Sequence, residues 1–261
     1  MLIISSKNNI KIKEIKMIRD LSSYRKEKNL IFLEGERLIN DTPIDLIKEI
    51  YIDENYKNKI PKIGKENVFI IKNNITNYIS DTKNPQGIIA IARKPIMNYN
   101  NIFTSEFKNI LILNSIKDPG NMGSIIRTSE ASGISCIIID KESVDYLSPK
   151  VIRSSMSSIF RVKIFETDNL INCILKLKKI KYDIYATDLN AKEYYDEINY
   201  SNNNAIVIGS EANGIDKKIM ELCNKKIKID MCGNIESLNA SIATAIILFE
   251  MKRRRKNDKS K

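Results

Sequence analysis

Short apolar runs separated by longer mixed segments set the rhythm of this chain. Residues 8–22 place Ile10, Ile12, Ile15, Met17, Ile18 and Leu21 among lysines and arginines. That spacing predicts a basic amphipathic helix, slightly untidy in its period. Apolar runs at Leu30–Leu33, Glu49–Asp53, Val68–Ile71 and Gly87–Ala92 predict strands, with helical stretches near Gly35–Asn40 and Thr76–Ser80. The alternation predicts a small α/β domain over residues 1–95. Pro95 and the aperiodic polar stretch Asn98-Tyr-Asn-Asn-Ile-Phe-Thr-Ser105 place a linker at 96–108.

Beyond it the alternation is more regular. Strands are expected at Asn109–Leu113, Ser135–Asp140, Asp183–Thr187, Ala205–Ile208 and Lys226–Ile229. Helices are expected at Met122–Ala131, Lys150–Ser157, Leu170–Ile180, Asp216–Cys223 and Ser237–Lys252. Short continuous apolar strands alternating with helices mean a parallel sheet covered on both faces, here over residues 109–252. In the last helix Leu238, Ile242, Ala245, Ile246 and Phe249 form a stripe, a packing face in a core or at a subunit interface. Residues 253–261 form a basic tail without an apolar residue, expected to be mobile.

Composition narrows the chemistry. With 261 residues and 43% hydrophobic content the chain can bury a substantial core, and with 7% aromatic residues and no Trp that core is aliphatic. There is no His, which removes Ser-His-Asp hydrolysis, imidazole acid–base work and histidine metal sites; no metal is expected. Cys136, Cys173, Cys223 and Cys232 form no CxxC pair, which fits a reducing compartment. The start has no long apolar region and no stretch reaches membrane-spanning length, so a cytoplasmic protein with no membrane partner is expected. Of the net charge of +11, +6 lies in residues 1–95 and +6 in residues 252–261, leaving −1 between. Basic ends suit a polyanion such as a nucleic acid, or plain solubility. Lys7, Lys11, Arg25, Lys28 and Arg37 are the RNA-contact candidates.

Three polar loops follow or contain strand ends, where α/β folds place their sites. The first runs from Asn114 through Asp118-Pro-Gly-Asn-Met-Gly123 to Arg127-Thr128. Gly120 and Gly123 permit close backbone approach, and Arg127, one helical turn past Gly123, offers a five-donor fork for a phosphate or carboxylate. The same residues also read as a turn with Arg127 in a surface ion pair. The spacing is neither GxGxxG nor a Walker loop, which argues against dinucleotides and nucleoside triphosphates. The second loop is Gly209-Ser-Glu211-Ala-Asn-Gly214. Glu211 could pair with Arg127 if the loops converge, or the segment is a turn with Asp216 capping the next helix. The third, Ile229-Asp-Met-Cys-Gly-Asn-Ile-Glu-Ser-Leu-Asn239, leads into the last helix, with Ser237 as candidate cap.

In order and spacing, these loops resemble the three signature motifs of the SpoU/TrmH-type RNA 2′-O-ribose methyltransferases of the SPOUT superfamily. Asn114, Asp118, Pro119, Asn121, Gly123, Arg127 and Thr128 carry the first motif, Gly209, Glu211 and Gly214 the second, and Ser237, Leu238 and Asn239 the third. The amino-terminal half resembles the family's substrate-binding domain through Ser5-Ser-Lys-Asn8, Phe32-Leu-Glu-Gly35 and Gln86-Gly87. The resemblance implies a methyltransferase that moves a methyl group from S-adenosylmethionine to a ribose 2′-hydroxyl, on ribosomal RNA in preference to tRNA. It implies a trefoil knot in the carboxy-terminal domain, a ribosomal-protein-like amino-terminal fold and a homodimer. It assigns catalysis to Arg127, Asn121, Glu211, Ser237 and Asn239, and the cofactor to Gly209, Ile229, Met231, Leu238 and Asn239. A non-catalytic RNA-binding or ribosome-assembly factor is the rival. Two positions depart from the family pattern: Asp230 stands where Pro is usual, and Ser157 where Gly is usual.

Overall fold

In this computed structural model, every residue is described except 1, 62, 63, 96, 98, 105, 106, 135, 234–236 and 259–261. Parts of the expected linker, the first residue of the expected strand at 135–140 and the end of the basic tail lie outside the described residues. The chain forms two units. One holds residues 1–96 and 145–160; the other holds 97–144 and 161–261. The periodicity gives no sign that 145–160 packs with the amino-terminal unit.

The first unit runs β1 (Leu2–Ile4), α1 (Ile10–Asp20), α2 (Ser22–Lys28), β2 (Leu30–Glu34), α3 (Glu36–Asp41), β3 (Ile47–Asp53), β4 (Val68–Ile71), α4 (Asn73–Ile79) and β5 (Ile88–Arg93). Its sheet has the order β1-β4-β3-β5-β2, parallel across β1, β4 and β3 and antiparallel at β5 and β2. Asn9 starts α1, its Oδ1 accepting from the Lys11 amide at 2.9 Å. The helix buries Ile12, Ile15 and Ile18 with Ile75 and Ile79 of α4 against Phe32, Tyr51, Phe69 and Ile71 of the sheet. Ile10 and Leu21, counted in the expected stripe, stay exposed. The polar α2 is not legible as a helix because Arg25 is its buried residue. It ends on Asn29 at φ 53°, the left-handed C-cap.

The helix α6 (Pro149–Ser154) belongs to this unit, packing on β2. Ser157, just beyond it, has φ 68° and is 1% exposed. The left-handed backbone is the reason a Gly suits this position. Here Ser157 donates its hydroxyl to Asp41 Oδ2 at 3.0 Å.

The second unit holds β6 (Asn109–Asn114), α5 (Pro119–Ser132), β7 (Cys136–Asp140), β8 (Lys163–Thr167), α7 (Leu170–Lys179), β9 (Asp183–Thr187), β10 (Glu193–Tyr194), β11 (Asn204–Gly209), α8 (Lys217–Leu222), β12 (Lys225–Lys228) and α9 (Ala240–Asp258). Among the described residues its strands, in the order β10-β12-β9-β11-β6-β7-β8, pair in parallel throughout. Central strands β6, β7 and β11 are wholly buried, as their unbroken apolar runs predict. The pattern misses β8, an edge strand with charges at two of its positions, and β10, which has two residues.

Two expectations for the last helix are corrected. Its buried face is Ala240, Thr244, Ile247, Leu248 and Met251, whereas Ile242 and Phe249 of the expected stripe are exposed. Up to Met251 the helix is apolar nearly all round, so period alone could not choose the face. Thr244 hides its polarity by donating to the Ala240 carbonyl at 2.6 Å. The helix also continues to Asp258, through residues read as a mobile tail. Glu250 pairs with Arg253 and Arg254 one turn on, and chiefly its hydrogen bond with Arg253 holds its carboxyl below the usual range.

Candidate active site

Because the second sheet is parallel, the loops after β6, β11 and β12 leave its same edge. The first is built on Asn114 and Asp140. Asn114 Nδ2 donates to Asp140 Oδ2 at 2.7 Å, and Asn114 Oδ1 accepts from the Asp216 amide at 2.8 Å. One side chain thus ties the ends of β6 and β7 to the start of α8. Asp140 also accepts from the Ser115 amide at 2.9 Å and from the amide and hydroxyl of Ser143 at 2.9 and 2.6 Å. These bonds hold Ser115 at φ 61°, a conformation an L-residue seldom adopts. Asp118 then caps α5, accepting from the Asn121 amide at 2.8 Å, with Pro119 in the first turn.

The second loop closes on itself. Ser210 and Gly214 exchange backbone hydrogen bonds of 3.1 and 2.9 Å, and Gly214 lies at φ 65°. A Cβ on Gly209 would stand 2.2 Å from the Gly214 carbonyl carbon and 2.5 Å from the Ile215 nitrogen. Gly209 is therefore fixed by backbone sterics. Asp216 caps α8 through the Lys218 amide at 2.8 Å, as expected.

Three side chains join the loops. Asn121 Nδ2 donates to Glu211 Oε1 at 3.0 Å, and Asn121 Oδ1 accepts from Asn239 Nδ2 at 2.9 Å. Glu211 Oε1 also accepts from the Ala240 amide at 3.0 Å, placing a carboxylate on the first turn of α9. Asn239 caps that helix, accepting from Ser241 through its amide at 3.0 Å and its hydroxyl at 2.6 Å. Convergence of the loops is thus observed, with two differences from expectation. Glu211 meets Asn121 and Ala240 instead of Arg127, and Asn239 takes the capping place expected of Ser237.

Arg127 is exposed on α5, and among the described residues no hydrogen bond or ion pair engages its side chain. Ser237 is exposed and likewise unengaged among them. The backbone groups of Ile229, Met231 and Leu238 make no hydrogen bond with a described residue. These half-buried positions leave peptide donors and acceptors open in a segment of low charge. That suits the uncharged, many-edged adenosine portion of S-adenosylmethionine, so the residues present fit this cofactor. Asp230 is exposed and Cys232 is the exposed thiol of the set; Cys136 and Cys173 are buried, and burial pushes the Cys223 thiol up to about 11.

The RNA-contact candidates on the first unit behave unequally. Arg25 is 3% exposed: its guanidinium donates to Asp145 Oδ2 at 3.0 and 2.6 Å and to the carbonyls of Ile18 and Arg19 at 2.7 Å each. It is a structural residue joining 145–160 to α1 and α2, which corrects its reading as an RNA contact. Lys11 pairs with Glu49 at 2.6 Å and Lys28 with Glu27 at 2.9 Å. Lys7 and Arg37 are exposed.

A parallel sheet with three hydrogen-bonded loops on one edge, and an exposed Arg127 on the helix that follows the first of them, is the arrangement of an α/β ligand site at strand ends. Residues 108–249 match the SpoU rRNA Methylase family, and residues 9–90 match the MRM3-like substrate binding domain. The chain is similar to the 23S rRNA (guanosine(2553)-2′-O)-methyltransferase RlmP of Bacillus subtilis (strain 168), at 26% identity covering 95% of this chain and 98% of that one. It is 31% identical to a Staphylococcus aureus (strain MSSA476) protein named for the TrmH family of tRNA/rRNA methyltransferases, covering 84% and 92% of the two chains. The structure superposes on the AdoMet-bound rRNA methyltransferase of Sinorhizobium meliloti with a TM-score of 0.85, 26% identity and 97% of each chain covered. The chain belongs to the SpoU rRNA methylase family. It is an RNA methyltransferase, and the family draws its methyl group from S-adenosylmethionine.

Proposed function

We propose that the protein methylates a ribose 2′-hydroxyl of 23S ribosomal RNA. The observation that carries this reading is the Asn121–Glu211–Asn239 junction, which draws the three motif loops together, with Arg127 exposed and unengaged by any described residue on the same helix as Asn121. S-adenosylmethionine supplies a methyl group on a sulfonium, an electrophile that needs little further activation. Gly209, Ile229, Met231, Leu238 and Asn239 hold it, mainly through backbone groups. Asn121, Glu211 and Asn239 act as positioning residues, because they bond to one another and to the start of α9. Ser237, with its open hydroxyl, completes the polar shell at the nucleotide.

Arg127 binds the nucleotide phosphate and orients the 2′-hydroxyl. A guanidinium with a pKa above ~12 is a poor proton acceptor. Its contribution is electrostatic: it stabilises the oxygen as charge builds there, while the proton leaves to phosphate or water. Alignment supplies much of the rate.

The ribosomal substrate is favoured by the basic amino-terminal unit, for which a ribosomal-protein-like fold is the natural reading. Lys7, Lys11, Lys28 and Arg37 remain its RNA contacts. The carboxy-terminal knot belongs to this proposal, as does a homodimer formed through α9. The half-exposed Ile242 and Phe249, at 51% and 47%, favour a second copy as the cover of that face. The reducing-compartment reading of the free thiols makes the setting cytoplasmic.

The test is transfer of labelled methyl from S-adenosylmethionine to unmodified ribosomal RNA and, separately, to tRNA. Digestion and mass spectrometry should find a 2′-O-methyl nucleoside in the ribosomal pool. A product in tRNA alone would reassign the substrate. No product in either, with no cofactor bound, would leave a non-catalytic RNA-binding factor.

A further inference from the structure

On the first unit, α1 and α4 pack side by side and leave an aromatic ring between lysines. Tyr78 of α4 is 36% exposed. Lys7 Nζ lies 4.8 Å and Lys16 Nζ 4.2 Å from its ring centroid. Among the described residues neither lysine forms an ion pair, whereas Lys11 and Lys28 do; Lys16 feels the Asp20 carboxylate, whose ion pair is with Arg19. Arg19 fixes the edge of this surface, donating through Nη1 to the carbonyls of Tyr78 at 3.3 Å and Ser80 at 2.8 Å while pairing with Asp20. Asn74, one turn before Tyr78 on α4, is exposed and its amide has no partner among the described residues.

An ammonium resting on an exposed ring is held weakly, because water competes for it. A nucleobase is a better occupant of the same face: it stacks on the ring whatever its identity, and the lysines are released to the phosphates on either side. The amide of Asn74 adds a donor and an acceptor for the edge of a base. A duplex offers no free base face, and an acidic peptide has no use for the ring.

We propose that Tyr78, Lys7 and Lys16 form a stacking platform for an unpaired nucleotide of the RNA substrate. The base lies on the Tyr78 ring, the flanking phosphates meet the two lysines, and Asn74 touches the base edge. This rests on the reading of the protein as an RNA methyltransferase, and it identifies one subsite on the substrate-binding unit.

The test uses the full chain and a short, fluorescently labelled single-stranded RNA of mixed sequence, titrated over a range of salt, with the matching duplex alongside. Tyr78→Ala should weaken single-strand binding roughly 5- to 100-fold with little change in the salt dependence, and Tyr78→Phe should bind like the wild type. The double variant Lys7→Gln/Lys16→Gln should keep the ring and lower the slope of log affinity against log salt by about 0.7 for each phosphate no longer neutralised. This variant guards against a Tyr78→Ala chain that fails to fold. Tyr78→Ala that folds and binds like the wild type, or an unchanged salt slope in the double variant, overturns the platform. Preference for an acidic peptide over RNA would also overturn it. If those variants are neutral while the wild type methylates RNA, the subsite fails and the enzymatic reading stands. If the wild type neither binds nor methylates RNA, both fall.

Discussion

The junction of the three motif loops and the basic surface of the first unit use polar side chains in opposite ways. At the junction Asn121, Glu211 and Asn239 bond to one another, and the groups left open are the Arg127 guanidinium and peptide edges. On the first unit the cations divide. Arg25 is buried on Asp145, Lys11 and Lys28 are paired, and Lys7 and Lys16 lie on an exposed ring. A network of short polar residues fixes geometry, while long cations distribute themselves among structural and binding roles that charge alone does not distinguish.

The sharpest break of the junction is Gly209→Ala. The new Cβ has backbone on its far side, at 2.2 Å, so no side-chain rotation relieves it. The loop from Gly209 to Gly214 must open, and Glu211 moves with it. The expected outcome is loss of cofactor binding and of methyl transfer to background, read by calorimetry and by the labelled-methyl assay. Reactivity of Cys232 toward a maleimide, expected to slow when cofactor binds the wild type, should become insensitive to cofactor in this variant. Normal turnover in Gly209→Ala would mean the second loop does not shape the site.

Arg127→Ala probes the group the junction leaves open. Removing a preorganised charge at the reacting oxygen should lower kcat about 10²–10³-fold. Cofactor affinity and melting temperature should hold, because Arg127 bonds to no described residue. Arg127→Lys keeps the charge and loses the fork; its recovery of less than a tenth of kcat would support two-point contact with the nucleotide. Full turnover by the alanine variant would remove Arg127 from the mechanism.

Arg25→Ala and Arg37→Ala set the two kinds of cation on the first unit against each other. The first leaves Asp145 without its buried partner and frees two helix-end carbonyls, so unfolding free energy should fall by about 3 kcal/mol. The second should leave stability within about 0.5 kcal/mol and weaken RNA binding. Denaturant titration and a salt-dependent binding series distinguish them. Equal stability of the two variants would contradict the structural assignment of Arg25.

Much of this was legible in the residues. The buried strands β6, β7 and β11 announce themselves as unbroken apolar runs, whereas Gly209, Glu211 and Asn239 stand out only through the family resemblance, since by themselves their polar loops also read as turns and helix caps. What escaped has physical reasons. Asp140 looks like a strand end, and that it organises the first loop depends on Asn114 standing on the neighbouring strand. The helix α9 is apolar on nearly every face up to Met251, so its buried side was misassigned. Arg25 sits in a lysine-rich run, and its partner Asp145 lies 120 positions away. Long-range pairs of this kind leave no period in the sequence.

The smallest expected effect concerns Ser157, where two contributions oppose. Held at φ 68°, an L-residue carries strain of about 1–2 kcal/mol, which glycine would relieve. Glycine would also lose the hydrogen bond to Asp41 and gain about 0.4–1 kcal/mol of freedom in the unfolded chain. A net hydrogen-bond contribution of about 1 kcal/mol brings the sum close to zero. Ser157→Gly should therefore match the wild type within about 1 kcal/mol by chemical denaturation, and activity should not change. Ser157→Ala keeps the strain and loses the bond, so it should be the less stable of the two by about 1 kcal/mol. If alanine and serine prove equal, the Asp41 bond contributes nothing and the serine is simply tolerated. If glycine proves clearly less stable than serine, the bond outweighs the strain, and the departure from glycine reflects the first unit holding 145–160 through its own side chains.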